Sequence, residues 1–158
     1  MKKIALIALV VFQAATLAAC NVGVNGGDKA AKATAASAEE RQQVDSASQR
    51  IIALLDSGQY MSVWDFAAPR IKNGGKQDVF VKELQLSRKV VEDWHTRALV
   101  KTVFHDAMPN GVPGRYVAIY SEVECGKARC TEEMVLQHVD GAWSLAGYNV
   151  HKALRAPL

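Results

Sequence analysis

The sequence predicts an α+β domain, and three observations carry that reading. Apolar residues recur at helical spacing through the first half of the folding part of the chain. After Trp94 the spacing changes to the alternation of strands. The helical segments come first and the strands follow as a run, an order that gathers helices on one face of an antiparallel sheet. The expected architecture is three N-terminal helices packed on a curved four-stranded antiparallel meander.

The first helix begins at Ser37, which has capping-box spacing to Glu40. Val44, Ala47, Ser48, Ile51, Leu54 and Leu55 follow the i, i+3, i+4, i+7 pattern and give it one apolar face. Asp56-Ser57-Gly58 supplies its stop. A second, short helix is expected from residue 59 or 60 to 68, ended by Pro69, with Tyr60, Trp64 and Ala67 or Ala68 on its buried face. Asn73-Gly74-Gly75 reads as a loop. The third helix is expected over residues 77–93, with Phe80, Leu84, Ser87, Val91 and Trp94 on one stripe and Val90 beside it.

Residues 97–105 form the first strand, with Leu99, Val103 and Arg97 on one face. Pro109-Asn110-Gly111-Val112-Pro113-Gly114 is a turn. Residues 115–124 are rich in β-formers, and residues 131–139 follow as a third strand. Asp140-Gly141 is a two-residue hairpin turn that takes positive φ readily. The fourth strand, residues 142–150, carries Trp143, Leu145, Tyr148 and Val150. The domain is expected over residues 38–152, with residues 153–158 as a tail.

The N-terminus has a different character. Met1, Lys2 and Lys3 are a short basic start, and residues 4–12 are an unbroken apolar run. Such a run is too short to span a bilayer, which takes about 20 residues, and has the length of a signal-peptide core. Leu17-Ala18-Ala19-Cys20 then resembles the bacterial lipobox. The resemblance implies diacylation of the Cys20 thiol, cleavage before Cys20 so that residues 1–19 are a signal peptide, and acylation of the new amine. Two or three acyl chains make a stable anchor, since each buried methylene contributes about 0.8 kcal/mol. The alternative is an ordinary secretory signal followed by a chance cysteine. Asn21 follows the cysteine, and by resemblance to the usual sorting pattern it directs the protein to the periplasmic face of the outer membrane. Residues 20–37 read as lipidated cysteine and flexible tether: Gly23, Gly26 and Gly27 precede a small polar stretch with nothing large and apolar after Val24.

Composition bounds the partners. Of the 158 residues, 49% are apolar and 22% charged, which excludes wholesale disorder and a collagen-like chain. The formal net charge is +3, and Lys2 and Lys3 leave with the signal, so the mature chain carries about +1. No nucleic-acid partner follows from that balance. With Cys20 lipidated, Cys125 and Cys130 remain, and in an oxidising periplasm they read as a disulfide across a polar turn. Loop closure over so short a ring contributes about 2 kcal/mol. Two thiols without a nearby ligand pair make a poor zinc site, and the spacing is not that of a redox-active C-x-x-C.

No catalytic constellation stands out, and no cofactor is implied. His95, His105, His138 and His151 have no metal-binding spacing and read as surface histidines. His105 and Asp106 are neighbours, so on a strand they point to opposite faces. No serine sits in a G-x-S-x-G elbow, and no Gly-rich phosphate cradle is present. The best candidates for a pocket or partner surface are aromatic: Tyr60, Trp64, Trp94, Tyr116, Tyr120, Trp143 and Tyr148. Plain core packing competes for the same residues, because tyrosine and tryptophan bury large areas.

A sheet folded around helices resembles the cone of nuclear-transport-factor-like and ketosteroid-isomerase-like domains, with the cystatin-like fold as a near relative. Four stretches carry a second resemblance: Leu54-Leu55-Asp56-Ser57-Gly58-Gln59-Tyr60, Ser62-Val63-Trp64-Asp65-Phe66-Ala67-Ala68, Gly114-Arg115-Tyr116-Val117, and Asp140-Gly141-Ala142-Trp143-Ser144-Leu145-Ala146-Gly147-Tyr148. They are similar to a family of small exported bacterial proteins known only as a domain of unknown function, over about residues 45–150. The resemblance implies a signal-bearing periplasmic single domain and no known activity. The chain departs from it in the Cys125–Cys130 loop and the charged Glu92-Asp93-Trp94 helix end. The expected function is a membrane-anchored lipoprotein with a non-catalytic domain that binds a protein partner in the periplasm or a small apolar ligand. A periplasmic immunity protein that neutralises a delivered toxin is one alternative. An isomerase-like or dehydratase-like enzyme with a cone pocket is another.

Overall fold

The computed structural model describes residues 32–91, 93–108 and 112–152. The signal segment with Cys20, the tether up to residue 31, Glu92, the turn residues Pro109, Asn110 and Gly111, and the tail 153–158 lie outside the described residues.

Helix α1 spans Ala38–Asp56 and starts in the expected capping box. The Glu40 N–H donates to the Ser37 hydroxyl at 3.1 Å, and the Ser37 N–H donates to the Glu40 carboxylate at 3.0 Å. Val44, Ser48, Ile51 and Leu55 are its buried face. Gly58, just past the end, has φ +72°, the left-handed conformation that closes a helix C-terminus.

The next segment differs from expectation. It is three short pieces, α2 (Tyr60–Val63), a 3₁₀ turn (Trp64–Phe66) and α3 (Pro69–Gly74). Pro69 opens α3 rather than only ending its predecessor, because proline's missing N–H costs nothing at a first helical position. The break between pieces is a docking point. The Ala68 N–H donates to the Leu145 carbonyl at 2.7 Å, so the chain is extended there. Asn73 and Gly74 belong to α3, not to a loop.

Helix α4 spans Gln77–Arg88 and buries Phe80, Val81, Leu84 and Arg88. It stops five residues before the expected end, and Asp93 already belongs to a strand. Val91 and Trp94 continue the apolar stripe by spacing, but they do so from the connection and the strand.

The sheet has five antiparallel strands in sequence order: β1 (Ala33–Thr34), β2 (Asp93–Ala107), β3 (Pro113–Cys125), β4 (Ala128–Val139) and β5 (Ala142–Lys152). The meander is as expected, and β1 is an addition from the end of the stretch read as tether. Ala33 faces His105 and Thr34 faces Phe104. Arg115 fixes this short strand by donating to Thr34 Oγ1 at 2.5 Å, the Ala35 carbonyl at 2.7 Å, and Glu40 and Asp106 at 2.9 Å each.

On β2 the expected face is corrected. A register shift between Leu99 and Lys101 breaks the alternation. Phe104 is the buried residue, and Leu99 is 66% exposed. Asp140 (φ +51°) and Gly141 (φ +80°) make the β4–β5 turn, both in the left-handed region as the sequence implied.

The helices lie on one face of the sheet. Between them sits the main core, including Ile51, Leu55, Val63, Val117, Leu136 and Leu145. A second, smaller cluster at one end of the same face holds Val91, Val123, Cys125, Cys130 and Val150. Cys125 and Cys130 are joined, with Cα atoms 5.8 Å apart. The bridge therefore closes the β3–β4 hairpin and is itself apolar filling for the smaller cluster. Replacing both cysteines with serine should lower stability by about 2 kcal/mol from the lost loop constraint alone, with a further loss from polar atoms in the cluster. Chemical denaturation of the two forms measures this, and equal midpoints would contradict it.

Candidate functional site

Two places gather the polar groups that a function could use. The first lies on the helix-facing side of the sheet. Glu132 on β4 is only 2% exposed and sits between Cys130 of the smaller cluster and Met134 of the main core. A buried carboxylate is costly unless paired and hydrogen-bonded. Here Arg97 Nε donates to it at 2.5 Å, the Tyr148 hydroxyl donates at 2.7 Å, and Arg88 Nη1 lies 3.5 Å away.

Asp56, at the end of α1, completes the layer. It accepts from Arg88 Nη2 at 2.5 Å and from both terminal nitrogens of Arg97 at 2.9 Å. Two arginines thus balance two carboxylates. Burial opposes ionisation of Asp56, but the bonds from Arg97 and Arg88 outweigh it and hold the carboxyl below its usual range. Burial and the Glu132 charge push the Tyr148 hydroxyl far above its usual range. The Arg88 guanidinium stacks on Trp94, 3.4 Å from the ring centroid, and Arg97 sits 5.1 Å from it. An open groove of about 570 Å³ runs past Asp56, Tyr60, Arg88, Lys89 and Trp94. Two of its charged groups, Asp56 and Arg88, are already paired with each other.

The second place is the opposite face of the sheet, which no helix among the described residues covers. Along β3, Tyr116, Ala118 and Tyr120 point to this side, since Val117 and Ile119 point into the core. The pairing register places His105 and Gln137 on either side of Tyr116, Val103 and Val135 on either side of Ala118, and Lys101 and Glu133 on either side of Tyr120. A row of small apolar residues therefore lies between two tyrosine rows about 13 Å apart. The result is a slot of about 260 Å³ lined by His105, Ala107, Met108, Tyr116, Ala118, Tyr120, Glu133 and Val135.

Gly114 shapes one end of the slot. A Cβ at that position would lie 3.0 Å from a Tyr116 ring carbon and 3.2 Å from its hydroxyl, and φ at Gly114 is +144°. Only glycine lets the Tyr116 ring fold back over the strand there. At the other end Lys101 Nζ lies 4.5 Å from the Tyr120 ring centroid. Burial, with the Glu133 carboxylate beside it, raises the Tyr120 hydroxyl above its usual range.

Five buried side-chain polar atoms have no hydrogen-bond partner among the described residues. Three of them, His105 Nδ1, Tyr116 OH and Gln137 Oε1, belong to residues that pair in register across β2, β3 and β4. Unmet buried polar groups cost about 1–3 kcal/mol each, so these three are a local cost to stability.

The seven aromatic candidates divide accordingly. Trp143 is core, packed edge-on against Phe104. Tyr60 and Trp64 are half-buried against the main core, Trp64 edge-on to Phe80. Trp94 and Tyr148 serve the charged layer. Only Tyr116 and Tyr120 line the slot. His105, read from sequence as a surface residue, lines it with them, and its register opposite Tyr116 is the signal that was missing. Among the described residues, no group of three or more His, Cys, Asp or Glu side chains could hold a metal ion. No helix among them is long and apolar enough to cross a membrane.

The model of a family described as "Protein of unknown function (DUF4019)" matches residues 47–148. No curated protein and no solved structure matches the chain.

The charged layer makes stability depend on pH in two directions. Asp56 has an ordinary value of 3.8 and is lowered in the fold, so its contribution is present above that value and lost as the pH falls below it. Tyr148 has an ordinary value of 10.0 and is raised, so its contribution is present below that value and lost as the pH rises past it. Melting temperature should therefore plateau at neutral pH and decline on both sides. Glu132→Ala should cost about 3–5 kcal/mol, the range for breaking a buried pair, and should flatten the alkaline decline more than the acid one. An alkaline limb identical in both proteins would contradict the assignment.

Proposed function

Since the chain belongs to the DUF4019 family of proteins of unknown function, its role has to come from its own residues, and we propose that it is a lipid-anchored periplasmic binding protein. Cys20 carries the acyl chains at the periplasmic face of the outer membrane, the residues after it act as tether, and the domain binds a small apolar molecule without transforming it. The helices on one face of an antiparallel sheet support reading the domain as a cone of the nuclear-transport-factor-like or cystatin-like kind. The ligand site, however, is on the other face.

The slot between Tyr116 and Tyr120 is the observation that carries this reading. Binding sites for small molecules are concave and mostly apolar with a few polar groups, and the slot combines an Ala118 and Val135 floor with aromatic walls. The charged layer supports the non-catalytic part of the reading. A general base needs a free, reachable proton acceptor, and the oxygens of Glu132 and Asp56 are each held by arginine or tyrosine donors.

Mass spectrometry of the full chain purified from membranes tests both parts. The mature protein should begin at Cys20 and carry acyl mass there, and denaturing it should release a bound small molecule. Ala118→Phe, which fills the slot floor, should leave the lipid in place and lose the small molecule. An unacylated Cys20 would overturn the anchor, and an Ala118→Phe protein that retains the molecule would overturn the site.

A further inference from the structure

We propose that the groove between α1 and the outer edge of β5 binds a short extended peptide, which pairs through its main chain with Trp143. This goes beyond the slot: it is a second site, on the helix-facing side of the sheet, and it takes a different class of ligand.

The edge comes first. β5 is the last strand of the sheet, so a neighbouring strand pairs with only one of its sides. The Asp140-Gly141 turn fixes which of its main-chain groups point outward. In a two-residue hairpin the flanking residues, here Val139 and Ala142, exchange both hydrogen bonds, and such pairs alternate with pairs that exchange none. His138 and Trp143 are the next pair, so the N–H and C=O of Trp143 point away from β4. Leu145 follows two residues on and has the same phase: its carbonyl leaves the sheet and accepts from the Ala68 N–H at 2.7 Å. That bond accompanies a parallel bridge between Ala67 and Leu145. The edge therefore already holds one extended piece of chain, and the 3₁₀ turn (Trp64–Phe66) keeps that piece from running on beside Trp143. Among the described residues nothing bonds to the main chain of Trp143 on that side.

The groove beside this edge has a volume of about 580 Å³, within the range of roughly 300–1,000 Å³ for ligand sites. Gln42, Ser46 and Arg50 of α1 line it together with Trp143, and so do Asp65 and Phe66 of the 3₁₀ turn. From Gln42 to Arg50 the helix rises about 12 Å at roughly 1.5 Å per residue, a length that an extended chain covers in about three or four residues. The Trp143 indole packs edge-on against Phe104 in the core, so what this residue offers a ligand is its main chain. A donor and an acceptor on one residue, pointing the same way, match one residue of an extended chain, as in strand addition to a sheet edge. An apolar ring could use neither. The side-chain amide of Gln42 carries no hydrogen bond among the described residues and adds a second donor and acceptor.

Charge sets the last limit. Arg50, whose guanidinium lies 5.9 Å from the Phe66 ring centroid, and Asp65 are both exposed, and neither side chain has an ion pair among the described residues. One cation and one anion leave the groove neutral, which suits an uncharged segment of peptide better than an acidic or a basic one.

Acetyl-tetraalanine amide is the probe. The same peptide with every amide N-methylated is its control, because methylation removes the donors and keeps the carbonyls. Hydrogen exchange read by NMR on the full chain in lipid nanodiscs reports on the edge. In the free protein the Trp143 N–H should exchange faster than the Ser144 N–H, which points to Gln137 across the ladder. Saturating probe should slow the Trp143 N–H about tenfold, the factor that one net hydrogen bond supplies, and the methylated peptide should not. Ser46→Trp, at an exposed helix position that lines the groove, should abolish the slowing without moving the melting temperature. Ala118→Phe, on the other face, should leave it intact. Equal slowing by the methylated peptide would overturn the main-chain pairing, and slowing that persists in Ser46→Trp would overturn the groove. No slowing by either peptide would overturn the site. Protection of Trp143 in the free protein that grows with protein concentration would put a second copy on the edge and overturn the peptide assignment.

Discussion

The pairing of Glu132 with Arg97, Arg88 and Tyr148 is the interaction on which the rest of the molecule depends. A carboxylate inside an apolar face is tolerated only when its oxygens are filled by donors. The donors come from α4, β2 and β5, and Asp56 at the end of α1 balances the second arginine. One layer therefore ties two helices to three strands. It also separates the main core from the smaller disulfide cluster, and Tyr148 touches both. Apolar packing alone would let α4 slide along the sheet. A guanidinium stacked at 3.4 Å on Trp94 and bonded to Asp56 does not allow it.

Committing both long helices to one face has a consequence for the other. The far side of the sheet has to manage its own exposure, and it does so with tall side chains around a low floor. Ala118, between Tyr116 and Tyr120, is buried there with no helix of the described residues above it. The same arrangement leaves the row of His105, Tyr116 and Gln137 short of partners. A face built only for stability would carry phenylalanine and leucine there.

Much of this was legible in the sequence, and the reasons are local ones. The Ser37–Glu40 box, the Asp140-Gly141 turn and the Cys125–Cys130 loop each depend on residues within a few positions of one another, so spacing alone identified them. Elsewhere local signals fail for two reasons. At Pro69 and at the end of α4, tertiary contacts override the local rules: the Ala68 bond to Leu145 in one case, the start of β2 in the other. Strand β1 is two residues long and has no pattern to read. The charged layer and the slot were invisible because their members are far apart in the chain. Asp56 and Glu132 meet only through arginines at 88 and 97, and His105 meets Tyr116 only through the strand register.

The central claim is that the helices and the ligand occupy opposite faces of one sheet. Backbone and methyl NMR of the full chain in nanodiscs, titrated with toluene as a small apolar probe, reads that directly. The account predicts shift changes concentrated at His105, Tyr116, Ala118, Tyr120 and Val135, with Asp56, Arg88, Trp94 and the core residues Ile51 and Leu145 unmoved. Changes centred on the groove beside Trp94, or spread evenly over both faces, would contradict it.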